Sequence, residues 1–364
     1  MTRTRAANER STTGRGLRAV VVDDSQFMRT VISDMLEEEG ITVVESASDG
    51  ADGVEAVERH DPDVVTMDLK MPETDGIEAV ERIMSSNPTP VLVLSAHAAD
   101  GAALTFEAMD KGAVDFFEKP SGEVSVGMKQ QQEALVETVR SVAKADVSAT
   151  EAAAEHTPST VTASAPAYVD DPTLVIGSST GGPTVVESVL RELPIEADLR
   201  VLVVQHMPEG FTGRFADRLD AASEYDVREA TDGDRIGGGE ALVAKGGKHL
   251  EVSGHGGGRV RVKLSESDPV NNVRPAVDVT LRTAAETIDG PLAAVIVTGM
   301  GADGASGVRA VDAAGGTVLA QDEETSAVFG MPQRAIETGV VDGVYPHDEI
   351  VAGVLDAVTT EDNK

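Results

Sequence analysis

The sequence contains no cysteine and no tryptophan, and only 3% of its 364 residues are aromatic. The first absence excludes disulfides, thiolate nucleophiles and zinc–thiolate centres. The shortage of aromatics favours aliphatic α/β packing over an aromatic-rich β-sandwich. Positive charge is scarce too: 30 Lys and Arg against 63 Asp and Glu leave a net charge of −33. Nucleic-acid binding needs a basic face, and none is visible in the sequence. The excess negative charge reads as a solvated surface that stays soluble where salt screens self-repulsion, as in a host with a salty cytoplasm. No apolar run reaches the ~20 residues that a membrane helix needs, so no membrane insertion is expected. Met1 to Gly16 is polar and basic with no hydrophobic segment behind it, so no signal peptide is expected. These features place the protein in the cytoplasm.

What is present is an apolar share of 41%, enough for real cores, on a chain long enough for two domains. Residues 1–16 read as a disordered N-terminus. From Leu17 the pattern alternates short apolar strands with helices: strands at Leu17–Val22, Ile41–Val44, Asp63–Met67, Pro90–Leu94 and Ala113–Phe117. That spacing predicts a five-stranded, doubly wound parallel sheet, with a last helix over Glu123–Ala145. In such sheets ligands bind outside the carboxyl ends of the strands. Asp23, Asp24, Asp68, Ser95 and Lys119 all fall at those ends. Three carboxylates suit one Mg²⁺, which shares oxygen ligands with phosphoryl groups. Asp68 can be a carboxylate nucleophile that accepts a phosphoryl group, with Lys119 and the Ser95 hydroxyl contacting its oxygens.

Residues 146–172 are rich in Ala, Ser, Thr and Pro and read as a flexible linker. A second α/β pattern, doubly wound and mainly parallel, then runs over 173–358, leaving 359–364 as a tail. It opens with the stretch around which the chain is organised. Leu174–Ile176 reads as a buried strand, Gly177 as a sharp turn, Ser179 and Thr180 as presented hydroxyls, and Pro183 as the first turn of a helix. A serine on such a turn is either a nucleophile or part of a phosphate cradle; the Gly-x-Gly-x-x-Gly spacing of a dinucleotide loop is absent. Arg200–Val204 is a strand ending in Gln205-His206-Met207-Pro208. Glu240–Leu264, including Ala241–Val243, reads as β-hairpin material. Leu292–Val297 is a strand followed by Thr298-Gly299-Met300-Gly301-Ala302-Asp303-Gly304.

Ser179, His206 and Asp303 each follow an apolar strand and should share one rim of a sheet, as nucleophile, base and orienting carboxylate. Their chain order differs from the Ser, Asp, His of the α/β-hydrolases. The Gly-flanked amides around Met300 can bind an oxyanion. His249, on a loop of the same domain, is the rival base.

With Asp-Asp at 23–24, Met-Asp-Leu-Lys-Met-Pro at 67–72, Ser95 and Lys-Pro at 119–120, residues 17–145 resemble a response-regulator receiver domain. That resemblance implies Asp68 as phosphoacceptor, Asp23 and Asp24 as Mg²⁺ carriers together with it, and Phe116 as an aromatic switch residue. With Gly-Ser-Ser-Thr-Gly-Gly, Gln-His-Met-Pro, Asn272–Asp278, Thr-Gly-Met-Gly-Ala-Asp-Gly and Phe-Gly-Met-Pro, residues 173–358 resemble the catalytic domain of the chemotaxis protein-glutamate methylesterases. Members of that family demethylate glutamate methyl esters on chemoreceptors, and several deamidate receptor glutamines. The resemblance implies Ser179 as nucleophile, His206 as base, Asp303 as its orienter, and Thr180 with the Met300 amide at the oxyanion. No cofactor is implied for the esterase. The implied partners are methyl-accepting chemotaxis receptors as substrate and a chemotaxis histidine kinase as phosphodonor. Ala302 departs from the Asn that relatives often carry. The rival from another class is a response regulator whose second domain docks without catalysing.

Overall fold

The computed structural model describes residues 16–95, 99–119, 128–145, 147 and 167–360. The expected disordered N-terminus and the linker up to residue 166, apart from Gly16 and Val147, lie outside the described residues, as do 361–364 of the expected tail.

The N-terminal domain runs β1 (Arg18–Val22), α1 (Gln26–Glu38), β2 (Thr42–Ala47), α2 (Gly50–His60), β3 (Val64–Asp68), α3 (Gly76–Ser86), β4 (Val91–Ser95), α4 (Ala99–Asp110), β5 (Asp115–Glu118) and α5 (Met128–Val142). Its five strands pair in the order β2-β1-β3-β4-β5, all parallel. β3 and β4 are buried on both faces, which is why they read as unbroken apolar runs rather than alternating ones. Helix starts are set by side-chain caps: Ser25, Asp49 and Asp75 accept the amides of Met28, Asp52 and Glu78.

The C-terminal domain runs β6 (Thr173–Ser178), α6 (Gly182–Glu192), β7 (Arg200–Gln205), α7 (Glu209–Ala222), β8 (Asp226–Glu229), β9 (Arg235–Ile236), β10 (Glu240–Val243), β11 (His249–Gly256) and β12 (Arg259–Ser265). It continues with α8 (Val277–Thr287), β13 (Leu292–Ile296), α9 (Ala305–Ala313), β14 (Thr317–Gln321), α10 (Met331–Ile336), β15 (Gly343–Tyr345) and α11 (Ile350–Val358). Seven parallel strands form one sheet in the order β15-β14-β13-β6-β7-β10-β8, and β11-β12-β9 form a small antiparallel sheet. The doubly wound, mainly parallel architecture with a β-hairpin is therefore present.

The hairpin itself is narrower than expected. Ala241–Val243, all three buried, belong to β10, which pairs in parallel with both β7 and β8. A three-residue apolar run has no period, so the sequence does not distinguish a central strand from one leg of a hairpin. The last six residues of the expected linker are also structured: Tyr168 bridges to Thr359, and the Val169 amide donates to the Val358 carbonyl.

Candidate active site

β13, β6 and β7 are neighbours in the larger sheet, and their carboxyl ends carry Asp303, Ser179 and His206. The chain reverses direction across that sheet between β6 and β13, the crevice where α/β proteins bind ligands. Ser179 lies beyond the end of β6, its amide donating to the Thr298 carbonyl. The turn after it is made by Gly181, at φ 74°, with Pro183 in the first turn of α6. Gly177 does not make the turn. It lies within β6, where a Cβ would come 2.5 Å from a Val277 methyl, so its role is close packing of α8 on the strand.

His206 Nε2 lies 2.8 Å from Asp303 Oδ2. The same carboxylate accepts the Val277 amide at 2.6 Å, the Asp278 amide at 3.1 Å and Asn271 Nδ2 at 3.0 Å. Burial would raise the Asp303 pKa, but the His206 bond, its charge and the two amides outweigh burial and hold the carboxyl below its usual range. With Nε2 committed to Asp303, Nδ1 is the imidazole nitrogen left to take a proton from a hydroxyl. Ser179 Oγ is not hydrogen bonded to the imidazole in this structure; such contacts commonly tighten only with substrate.

Behind this trio stand residues whose roles the sequence does not show. Asp278 Oδ2 shares the Asn271 amide, and Asp278 Oδ1 accepts the Gly307 amide. Burial raises the Asp278 pKa, and the neighbouring Asp303 charge adds to that. Thr298 Oγ1 donates to the Thr180 carbonyl at 2.9 Å and accepts the Val328 amide at 2.9 Å. The Gln321 side chain accepts the Thr298 amide. His249 is fully buried; its Nδ1 accepts the Ala276 amide, which leaves Nε2 to donate to the Asp268 carbonyl. Both its nitrogens are used structurally, so it is no rival base.

The profile of the CheB methylesterase family matches residues 174–354, and that of the response regulator receiver domain matches 19–126. A protein of Natronomonas pharaonis, named protein-glutamate methylesterase/protein-glutamine glutaminase, is 75% identical over 351 residues, covering 95% of this chain and 99% of its own. The chain belongs to the CheB methylesterase family. A relative of the same name from Thermotoga maritima is 43% identical, covering 95% of this chain and all of its own. The crystal structure of the Thermotoga maritima CheB methylesterase catalytic domain matches 52% of this chain and all of that chain, at 46% identity and a TM-score of 0.50.

In the receiver domain, Asp23, Asp24 and Asp68 offer oxygens within 4.8 Å of one another. Lys119 Nζ lies 2.8 Å from Asp23 and 2.7 Å from Asp68. Burial raises the Asp68 pKa, and Lys119 offsets this only in part. Ser95 sits at the end of β4, its hydroxyl accepting from Thr105 at 2.9 Å. Such a cluster, with one oxygen-rich face and an ammonium beside it, has the chemistry of a divalent cation and phosphoryl site. Phe116 is buried, but its ring stacks on Phe211 of the catalytic domain at 4.4 Å. Beside it, Asp115 accepts the Phe116 amide at 2.8 Å, and burial pushes its pKa up to about 7. The two domains are thus in direct contact.

Gln205, Asn271, Asp278, Thr298 and Asp115 are the site residues that sequence reasoning missed. Gln205, Asp278 and Thr298 lie inside quoted motifs, which marks them without assigning a role. Asn271 and Asn272 both adopt positive φ, a conformation Asn tolerates and most residues do not, but that is invisible before folding.

Proposed function

We propose that the chain is a phosphorylation-controlled methylesterase of the cytoplasm that hydrolyses glutamate γ-methyl esters on chemoreceptors, and by the same chemistry deamidates receptor glutamines. The observation that carries this reading is the His206–Asp303 pair at the strand end next to Ser179, with a carboxylate held ionised by four donors. Ser179 Oγ attacks the γ-carbonyl carbon as His206 Nδ1 takes its proton. The oxyanion is received at Thr180 and the Met300 amide. The tetrahedral species collapses as the imidazolium returns the proton to the departing methoxide, releasing methanol. Water, deprotonated by the same nitrogen, then attacks the acyl-serine; the acyl C–Oγ bond breaks, the imidazolium returns the proton to Ser179 Oγ, and the glutamate carboxylate is freed. With a glutamine side chain the leaving group is ammonia.

Asp68 is the proposed phosphoacceptor, and Asp23, Asp24 and Asp68 the residues that would hold Mg²⁺, which when bound neutralises phosphoryl oxygens. Lys119 and Ser95 read the phosphoryl group, and Phe116 is the switch residue. The phosphodonor is a chemotaxis histidine kinase. A purely docking role for the second domain leaves the geometry of Asp303 without a purpose.

The test is methanol release from methylated receptor membranes by the full chain with a small phosphodonor. Ser179→Ala is expected to abolish release in a folded protein, and Asp68→Asn to abolish only the response to the donor. Release from Ser179→Ala equal to wild type overturns the serine mechanism.

A further inference from the structure

Gln205 is the last residue of β7 and is almost fully buried. A polar side chain in that position costs free energy unless its bonds are made, and all of them end at Ser178, Ser179 and His206. Its Nε2 donates to the Ser179 carbonyl at 2.8 Å and to the His206 carbonyl at 3.1 Å. Its Oε1 accepts the Ser178 hydroxyl at 2.6 Å. Two carbonyls can be served only by the NH₂ end, so the orientation of the amide is fixed by its partners.

These bonds are additional to the sheet. Gln205 already pairs with Ser178 in the β6–β7 ladder, and the His206 amide closes it on the Ser178 carbonyl at 3.0 Å. The chain also makes room for the side chain: a Cβ on Gly182 would collide with Gln205 Oε1 and with Ser178.

We propose that Gln205 is a positioning residue, its amide tying the main chain of the nucleophile to that of the base so that Ser179 Oγ and His206 Nδ1 meet in register. This rests on the methylesterase reading above. One planar group holds both carbonyls, so the separation of the two loops is set by a rigid unit rather than by two independently mobile turns. A misplacement of about 1 Å in such a pair costs on the order of 100-fold in rate.

The experiment uses the full chain, activated by a small phosphodonor, on methylated receptor membranes. Gln205→Met keeps the length and removes the hydrogen bonds. It is expected to lower kcat by about 10- to 100-fold with KM within about twofold, the signature of lost positioning rather than lost binding. Gln205→Glu sets a carboxylate against two carbonyls. As pH falls, the introduced carboxyl takes up a proton and can again donate to one of them. Its rate relative to wild type should therefore rise on acidification, a response that a merely space-filling residue does not give. Ser178→Ala frees only the oxygen end and is expected to lower kcat more mildly. A folded Gln205→Met with kcat within about twofold of wild type, together with a Gln205→Glu ratio that does not change with pH, overturns the proposal. Should Gln205→Met fail to fold, a folded Gln205→Glu whose rate relative to wild type does not change with pH overturns it instead. Wild-type protein that releases no methanol would defeat the methylesterase reading and leaves a different result from either of these.

Discussion

Asp303 collects an imidazole N–H, two main-chain amides and a side-chain amide on two oxygens. Each donor stabilises the ionised form, and together they overcome a site that burial makes hostile to charge. The negative charge in turn requires the imidazole proton to sit on Nε2. Replacing Asp303 by Asn keeps the shape but can present an NH₂ group to that nitrogen. The proton then moves to Nδ1, the nitrogen that must act as base. Asp303→Asn should lower kcat for methanol release by about 10³- to 10⁴-fold, as loss of the orienting carboxylate does in serine proteases. Some loss of thermal stability is expected as well, about 1–3 kcal/mol, because the NH₂ that replaces Oδ2 leaves the buried Val277 amide without its acceptor. A loss of less than about tenfold would show that His206 is held in its working tautomer by something other than Asp303.

At the scale of elements, function is placed by strand ends and by how closely helices approach them. Gly177 lets α8 lie against β6, and the first residue of α8, Val277, gives its amide to Asp303. Gly177→Ala puts a methyl 2.5 Å from a Val277 methyl and should destabilise the domain by about 1–3 kcal/mol. Val277→Ala removes the group that is struck, so the double variant should be more stable than the sum of the single losses; denaturant unfolding of the three variants tests this. The strand ends themselves were legible, because apolar runs that stop at or just before Asp23, Asp68, Ser179 and His206 are local features. The same holds for the five-strand count of the first sheet. What was not legible arises from contacts far apart in the chain. Nothing near Ala241 tells that β7 and β8 lie on either side of it. Nothing near Asn271 tells that its amide spans two carboxylates, one of them 32 residues away. The role of Gly177 was misread for the same reason: a glycine beside a serine suggests a turn, and the methyl that excludes a side chain comes from position 277.

At the scale of the whole molecule, the two domains meet through side chains that each carries on an otherwise ordinary surface. Phe106 stacks on Phe215 and Phe116 on Phe211, so four of the seven phenylalanines lie in this contact. Arg218 of α7 binds Glu187 in its own domain and reaches across to Asp110 and the Phe106 carbonyl. The most consequential group beside this contact is Asp115, next in the chain to Phe116. Desolvation there pushes the Asp115 pKa from its usual 3.8 to about 7, although the Phe116 amide and the Thr180 hydroxyl pull the other way. Once the domains part, Asp115 returns to water and to its ordinary pKa. Parting therefore releases a proton between those two values. The support that a protonated Asp115 lends to docking is complete below about pH 4 and is withdrawn steadily as pH rises to about 7, with no further change above. Resting, unphosphorylated enzyme should accordingly open as pH rises through this window. The chemical step carries a pH dependence of its own, so raw rates mix two effects. Dividing the resting full-length rate by that of a chain beginning near residue 165 at the same pH removes the common catalytic part. For wild type the ratio should climb from pH 5 to pH 7 and level off. Asp115→Asn keeps an oxygen that can accept the Thr180 hydroxyl and has no charge to desolvate. Its ratio should be lower than wild type at pH 7 and flat throughout. A wild-type ratio that is flat from pH 5 to pH 8 would mean that Asp115 is ionised while docked, and that the aromatic and Arg218 contacts alone set the closed state.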